Sequence, residues 1–422
     1  MRYKKKTLPN GLRIVTIPIK GSPTVTVLVL VEAGSKYETK NLSGLSHFLE
    51  HVSSKGTKKR PRSIDISKEL DGLGAENNAF TSFELTGYYA KAHPRHTKKL
   101  IEIISDMYIN PTFPAGELEK EKGVIIEEIN LNEDTPARNV GRVFMRLLYG
   151  EQPAGWSVLG TKKVIRKIER GDFLAYRKKH YLAKATAVVV AGDINEQKVR
   201  DWVTRAFAEI PEGPKQGKKK VIEHQVKPAL ALKFKKTDQV HMIVGVRTFP
   251  TTDRRTPALE LLNAILGRGM SCRLFQKLRE EMAVCYYVRS HVSDFTDHGY
   301  LAVSCGVDSK RIEKSVRAIL EEFRKLCRER VSAEELGKAK EYLIGNMYMD
   351  VESSDEVAEF FGLQEILKRR IEAPREIERK IRKVKAGDIQ KLARTIFQNR
   401  KLNLALIGNV RSAASLRKIF YL

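Results

Sequence analysis

Valine recurs at alternate positions of PTVTVLVLVEAGS (23–35), the period-two pattern of a half-buried strand. NAFTSFELTGYYAKA (78–92) predicts one or two further strands, and SIDISKELDGLGA (63–75) before it has helical spacing and closes in glycine-bearing sequence. Two short apolar runs, TAVVVAGDI (186–194) and LNLALIGNV (402–410), end in Gly-Asp and Gly-Asn. Their likeness is the first sign that the chain repeats itself.

The repeat extends upstream of those runs. GYYAKAHPRHTKKLIEIISDM (87–107) parallels GYLAVSCGVDSKRIEKSVRAI (299–319), each predicting a strand, a polar turn and an amphipathic helix. AGELEKEKGVIIEEI (115–129) aligns without gaps to AEELGKAKEYLIGNM (333–347). The period of roughly 200 residues far exceeds that of a solenoid, so two copies of one larger unit are expected. Between them IPEGPKQGKKK (210–220) combines two prolines, two glycines and a lysine run, which resist both helix and strand. The expected division is therefore residues 1–210, a linker over 211–220, and residues 221–422. Strands mixed with long helices predict an α+β fold, each copy a mixed or antiparallel sheet covered by helices on one face.

Composition narrows the class. With 422 residues and 42% hydrophobic content, the chain can bury a sizeable core. It contains no run of about eighteen uncharged apolar residues, and MRYKKKTLPNGLRIV passes from a basic cluster into strand-like sequence without a signal-peptide core. A soluble, cytoplasmic protein is expected. Cys272, Cys285, Cys305 and Cys327 form no CxxC pair, which argues against a disulfide framework and against a thiolate zinc site. Lys+Arg (77) exceed Asp+Glu (51) by 26. Such a charge would attract anionic partners, but the basic residues are spread out, with only short clusters such as 4–6 and 218–220. A solvated basic surface is expected, with neither a nucleic-acid nor a membrane partner.

The chemistry concentrates in GLSHFLEHV (44–52). On a helix, His47 and His51 lie one turn apart, with Glu50 on the same edge, while Leu45, Phe48 and Leu49 turn inward. Two imidazoles at that spacing can hold one divalent ion, and a catalytic zinc adds a third protein ligand and keeps a position open for water. EKEKGVIIEEINLNEDTP (119–136) supplies Glu121, Glu127 and Glu128 as candidates; Glu121 and Glu128 share a face, and Glu127 lies about 100° away. The second copy carries Ala339 and Asn346 at the positions of Glu121 and Glu128, and no HxxEH. A glutamate-rich helix is ordinarily a solvated face, but this asymmetry between copies favours a site. Glu50, next to a metal ligand, can take a proton from metal-bound water and pass it to a leaving amine, which is the chemistry of amide hydrolysis. His93 and His96 beside a proline, and His291 and His298 around Asp294 and Asp297, read as polar loop residues.

The inverted order HxxEH is the inverzincin signature. Together with LPNGLRIV (8–15), AGSKYE (33–38), GLSHFLEHVSSKGT (44–57), NAFTSFELTGYY (78–89), EKGVIIEEINLNEDTP (121–136) and SCRLFQKLREEMAVCYYV (271–288), it makes the chain resemble the pitrilysin/insulinase metallopeptidases along essentially its whole length. The likeness is to the shorter branch that includes mitochondrial processing peptidase and its bacterial relatives. The resemblance implies that His47, His51 and Glu128 hold one Zn2+ per chain, that Glu50 is the general base acting on zinc-bound water, and that Glu121 orients the site from outside the ligand set. It implies that Asn78, Ala79 and Phe80 bind the substrate backbone by strand addition, and that Arg279 and Tyr286 of the second copy contact substrate near the scissile bond. Both of those side chains donate hydrogen bonds to carbonyls or a developing oxyanion. The activity implied is a zinc endopeptidase acting on peptides or unfolded short polypeptides in an enclosed chamber. Each chain would form half of a clamshell; the presence of both motifs in one chain favours a homodimer, with a heterodimer as the alternative. The competing expectation is a noncatalytic subunit of a processing-peptidase-like complex. Such a subunit would be expected to have lost His47, Glu50, His51 or Glu128, and all four are present.

Overall fold

The computed structural model describes residues 1–422. They form two compact units, the first from residues 1–129, 157–219 and 348–374, the second from 130–156, 220–347 and 375–422. The units differ from the expected contiguous halves, because each takes one segment from the other half of the chain.

In the first unit, strands β1 (Lys4–Thr7), β2 (Arg13–Pro18), β3 (Val25–Val31), β4 (Glu76–Thr81), β5 (Thr86–Ala92) and β6 (Thr186–Gly192) form one sheet in the order β1-β2-β6-β3-β5-β4. Only β2 and β6 run parallel, so the sheet is mixed. All seven residues of β3 are buried, where half were expected to be. Val25, Val27, Val29 and Val31 pack into one core with helices α1 (Leu45–Val52), α2 (Ser63–Gly72), α3 (Thr97–Ile109) and α4 (Ala115–Asp134). Leu28 and Leu30 pack the opposite way, against Val357, Ala358 and Phe361 of the helix Ser354–Lys368. The expectation of helices on one face is corrected accordingly: a strand buried on both faces carries apolar residues at every step of its pleat. Helix and sheet approach closely at Gly362, where a Cβ would lie 2.8 Å from Leu30 Cδ1. The fully buried Glu365 on this helix is paired with Lys5 of β1 at 2.8 Å and Arg13 of β2 at 3.4 Å, so its charge is compensated.

In the second unit, β7 (Ala229–Phe234), β8 (Gln239–Arg247), β9 (Cys285–Asp294), β10 (Gly299–Asp308) and β11 (Leu402–Gly408) lie in the order β7-β11-β8-β10-β9, with β7 and β11 parallel. This repeats β2-β6-β3-β5-β4 strand for strand. Helix α5 (Pro136–Tyr149) lies on β8 and β11, close enough that a Cβ at Gly245 would meet Phe144 Cζ at 2.6 Å. The helix at 354 follows α5 at 136 by 218 residues, the same offset that relates 333 to 115. The equivalent helices are therefore exchanged: each copy's helix packs on the sheet of the other copy. This exchange is why neither unit is contiguous.

Residues 211–226 contain no helix or strand, as the linker composition predicts. Lys215 pairs with Glu32, and Lys218 with Glu84 at 3.2 Å, which ties the part of this stretch up to residue 219 to the first unit. No helix is long and apolar enough to cross a membrane.

Candidate metal centre

Helix α1 begins at Gly44, whose φ of 96° and crowding against Leu159 O suit only glycine. The buried Glu38 carboxylate accepts the Gly44 and Ser46 N–H groups, both at 2.7 Å, and so caps the first turn. Burial pushes the Glu38 pKa up to about 8, against the pull of those two donors. Leu45, Phe48, Leu49 and Val52 are fully buried, which fixes the roll of the helix. His47, Glu50 and His51 then face α4 and the end of β4. Along α4, Leu118, Ile125 and Ile129 pack into the core, and Glu121 is buried among them.

The three donors predicted from sequence converge. His47 Nε2 and His51 Nε2 are 3.2 Å apart, and Glu128 Oε2 lies 3.4 Å from the first and 3.9 Å from the second. Tetrahedral zinc with bonds of about 2.0–2.1 Å spaces its ligand atoms by about 3.3–3.4 Å. Two imidazoles and a carboxylate at these separations fit such an ion in chemistry and in spacing. Glu127 on the same helix is exposed and stands outside the cluster.

Electrostatics keep His47 in its binding form. Burial, followed by the neighbouring His51, pushes the His47 pKa down to about 3, so the ring stays neutral. Burial would raise Glu121, but hydrogen bonds from Lys55 at 2.9 Å and His51 Nδ1 at 2.8 Å hold it below its ordinary value. Glu50 is raised, chiefly by burial and partly by Glu128, against the Thr81 hydroxyl that donates to its Oε2 at 2.6 Å.

Thr81 and Lys55 are the two neighbours that sequence reasoning did not find. A signal existed for each. Thr81 alternates with Ala79 on one side of β4, and Lys55 follows His51 by one helical turn. Asn78, Ala79 and Phe80 sit on β4, which pairs only with β5 and leaves its other edge open. In the second unit, Arg279 and Tyr286 stand together, the guanidinium 5.3 Å from the Tyr286 ring centroid and 4.9 Å from that of Phe275. Tyr286 is 75% exposed, while the adjacent Tyr287 bonds His241 Nδ1 at 2.9 Å and is pushed by burial to about 12. Ala339 is buried, and Asn346 donates to the Tyr342 carbonyl, so no comparable donor set exists there. His298 is not a solvated loop residue: it is buried, stacked on Phe295 and bonded to Asp297 at 2.8 Å.

Known proteins resemble the chain in sequence and in fold. Residues 13–162 match the family described as Insulinase (Peptidase family M16), and residues 167–343 match Peptidase M16 inactive domain. The chain is 32% identical over 416 residues to the "Uncharacterized zinc protease YmxG" of Bacillus subtilis, covering 97% of this chain and 100% of that one. It is 30% identical to the "Uncharacterized zinc protease SCO5738" of Streptomyces coelicolor, covering 98% of this chain and 91% of that one. A protease from Helicobacter pylori has the same fold with a TM-score of 0.90 at 23% identity, over 96% of this chain and 99% of the other. A peptidase M16 inactive domain from Pseudomonas fluorescens gives 0.90 at 18% identity, over 98% and 99%. The HxxEH segment and Glu128 fall in the first family match, Arg279 and Tyr286 in the second.

Proposed function

Because the chain belongs to the insulinase family of M16 peptidases, we propose that it is a zinc-dependent endopeptidase hydrolysing peptides or unfolded short polypeptides. The observation that carries this reading is the convergence of His47, His51 and Glu128 beside a carboxylate, Glu50, that is held separately by Thr81. An ion held by the three donors would supply a Lewis acid for the scissile carbonyl and lower the pKa of water towards about 7.

The remaining steps belong to the chain's own residues. Thr81 occupies Oε2 of Glu50, which leaves Oε1 to accept the proton of the attacking water and return it to the leaving amine. The raised pKa of Glu50 brings it closer to neutral pH, where one group can both accept and donate. A substrate strand added to the open edge of β4 aligns the scissile bond through its backbone hydrogen bonds, with Asn78, Ala79 and Phe80 as its partners. Arg279 and Tyr286 are assigned to the substrate carbonyl and the developing oxyanion. The working form proposed is a homodimer, in which those two side chains act in their own chain or in the second copy.

The test is mass-spectrometric mapping of cleavage in a pool of unstructured peptides by zinc-loaded protein, run beside Glu50→Gln and a chelated sample. Cleavage by the wild type alone upholds the reading. Inert wild type holding zinc would shift it to a subunit that needs a different partner, and protein that takes up no zinc would overturn it.

A further inference from the structure

The two histidines of the centre are held in different ways. His47 Nδ1 is buried and meets no hydrogen-bond partner, so on that side of the ring only packing holds it. His51 Nδ1 lies 2.8 Å from Glu121 Oε1, and the other oxygen of the same carboxylate lies 2.9 Å from Lys55 Nζ. Lys55 sits just beyond α1, its N–H bonded to Val52 O at 3.2 Å, so its side chain starts one turn past His51 and on the same side. The pair is partly shielded, with side-chain exposures of 26% for Lys55 and 7% for Glu121, unlike a mobile surface ion pair.

Donor and acceptor roles follow from the chemistry of the three groups. An ammonium only donates, so Glu121 Oε2 accepts from Lys55. A carboxylate engaged in that way only accepts, so the proton between Glu121 Oε1 and His51 belongs to Nδ1. The lone pair of His51 is then on Nε2, the atom that faces His47 Nε2 and Glu128 Oε2.

Building on the metal reading above, we propose that Lys55 is a positioning residue for the metal centre: it fixes Glu121 as an acceptor, and through Glu121 it fixes the tautomer and orientation of His51. The sign of the effect separates this from plain electrostatics. A lysine near a dication repels it, so Coulomb's law alone has zinc binding tightened when Lys55 is removed. Positioning has binding weakened, by about tenfold, the lower end of the 10- to 100-fold seen for partners that orient metal-bound histidines.

The experiment measures zinc affinity by competition with a chromophoric chelator. It uses the full-length chain as wild type, Lys55→Met, Lys55→Arg, Glu121→Gln and the Lys55→Met/Glu121→Gln double variant. Thermal unfolding of the metal-free forms checks folding, and Lys55→Gln, which keeps a polar chain, carries the same expectation as Lys55→Met. The expected result is about tenfold weaker binding for Lys55→Met, near wild-type binding for Lys55→Arg, and no further loss when Lys55→Met is added to Glu121→Gln. Unchanged or tighter binding by Lys55→Met, or an equal loss in the Glu121→Gln background, would overturn the inference while leaving the metal centre intact. A wild type that binds no zinc would overturn the metal reading itself.

Discussion

Helix α4 and the helix Ala333–Met349 occupy equivalent places in the two copies and bury the same face. Leu118 corresponds to Leu336 and Ile125 to Leu343, all buried, while Glu121 corresponds to Ala339 and Glu128 to Asn346. The scaffold is thus indifferent to which copy carries the chemistry. A buried carboxylate is costly unless it is paired; Glu121 is paired on both oxygens by Lys55 and His51, and its counterpart position holds alanine. Duplication kept the packing in both copies and the charges in one.

Breaking this asymmetry should be most visible at Glu50. Glu50→Gln is expected to lower peptide cleavage by about 10²–10⁴-fold while leaving zinc binding in place, as judged by chelator competition. If activity survives, the proton is carried elsewhere. The exchanged helix comes next: Phe361→Ala, fully buried between that helix and the first sheet, is expected to cost about 3–5 kcal/mol in denaturant unfolding. A loss below about 1 kcal/mol would mean that the exchange contributes little to stability.

Removing zinc with a chelator should lower the melting temperature of the wild type but not that of Glu128→Gln. At 100-fold excess over Kd the bound ion is expected to stabilise by about 2.7 kcal/mol. Equal melting temperatures for loaded and stripped wild type would count against the site.

The metal-free protein should also respond to pH through His47. Its folded pKa, near 3, lies below the ordinary histidine value, so its contribution to stability is complete above about pH 6.5 and is lost as pH falls towards 3. The slope from this group is at most about 1.4 kcal/mol per pH unit, and it should vanish in His47→Asn. The smallest effect is expected in the other copy. Asn346→Ala should leave stability within about 0.5 kcal/mol, and zinc binding should be untouched.

The HxxEH helix was legible in sequence because its pattern is local: a spacing of four residues puts His47 and His51 on one face whatever surrounds the helix. The repeat set both Glu121 and Glu128 apart, against Ala339 and Asn346, and only the family resemblance told the third ligand from its supporting carboxylate. For Thr81 and Lys55 spacing marked only a side of β4 and of the α1 stretch; their contacts with Glu50 and Glu121 depend on how β4 and α4 approach α1, which periodicity does not encode. The same holds for β3. Alternating valines predict one apolar face, although Leu28 and Leu30 between them are equally apolar and meet a helix more than 300 residues away.

By itself, the sequence determined the duplicated α+β unit, the linker, the HxxEH helix and the inequality of the two copies, because each is written in local periodicity or in a direct comparison of segments. Only the tertiary structure decided where α5 and the helix Ser354–Lys368 go. An amphipathic pattern states that a helix has an apolar face, but two homologous sheets offer that face nearly the same surface. The choice between them rests on long-range contacts such as Gly362 against Leu30, Phe144 against Gly245 and the pairing of Glu365 with Lys5 and Arg13.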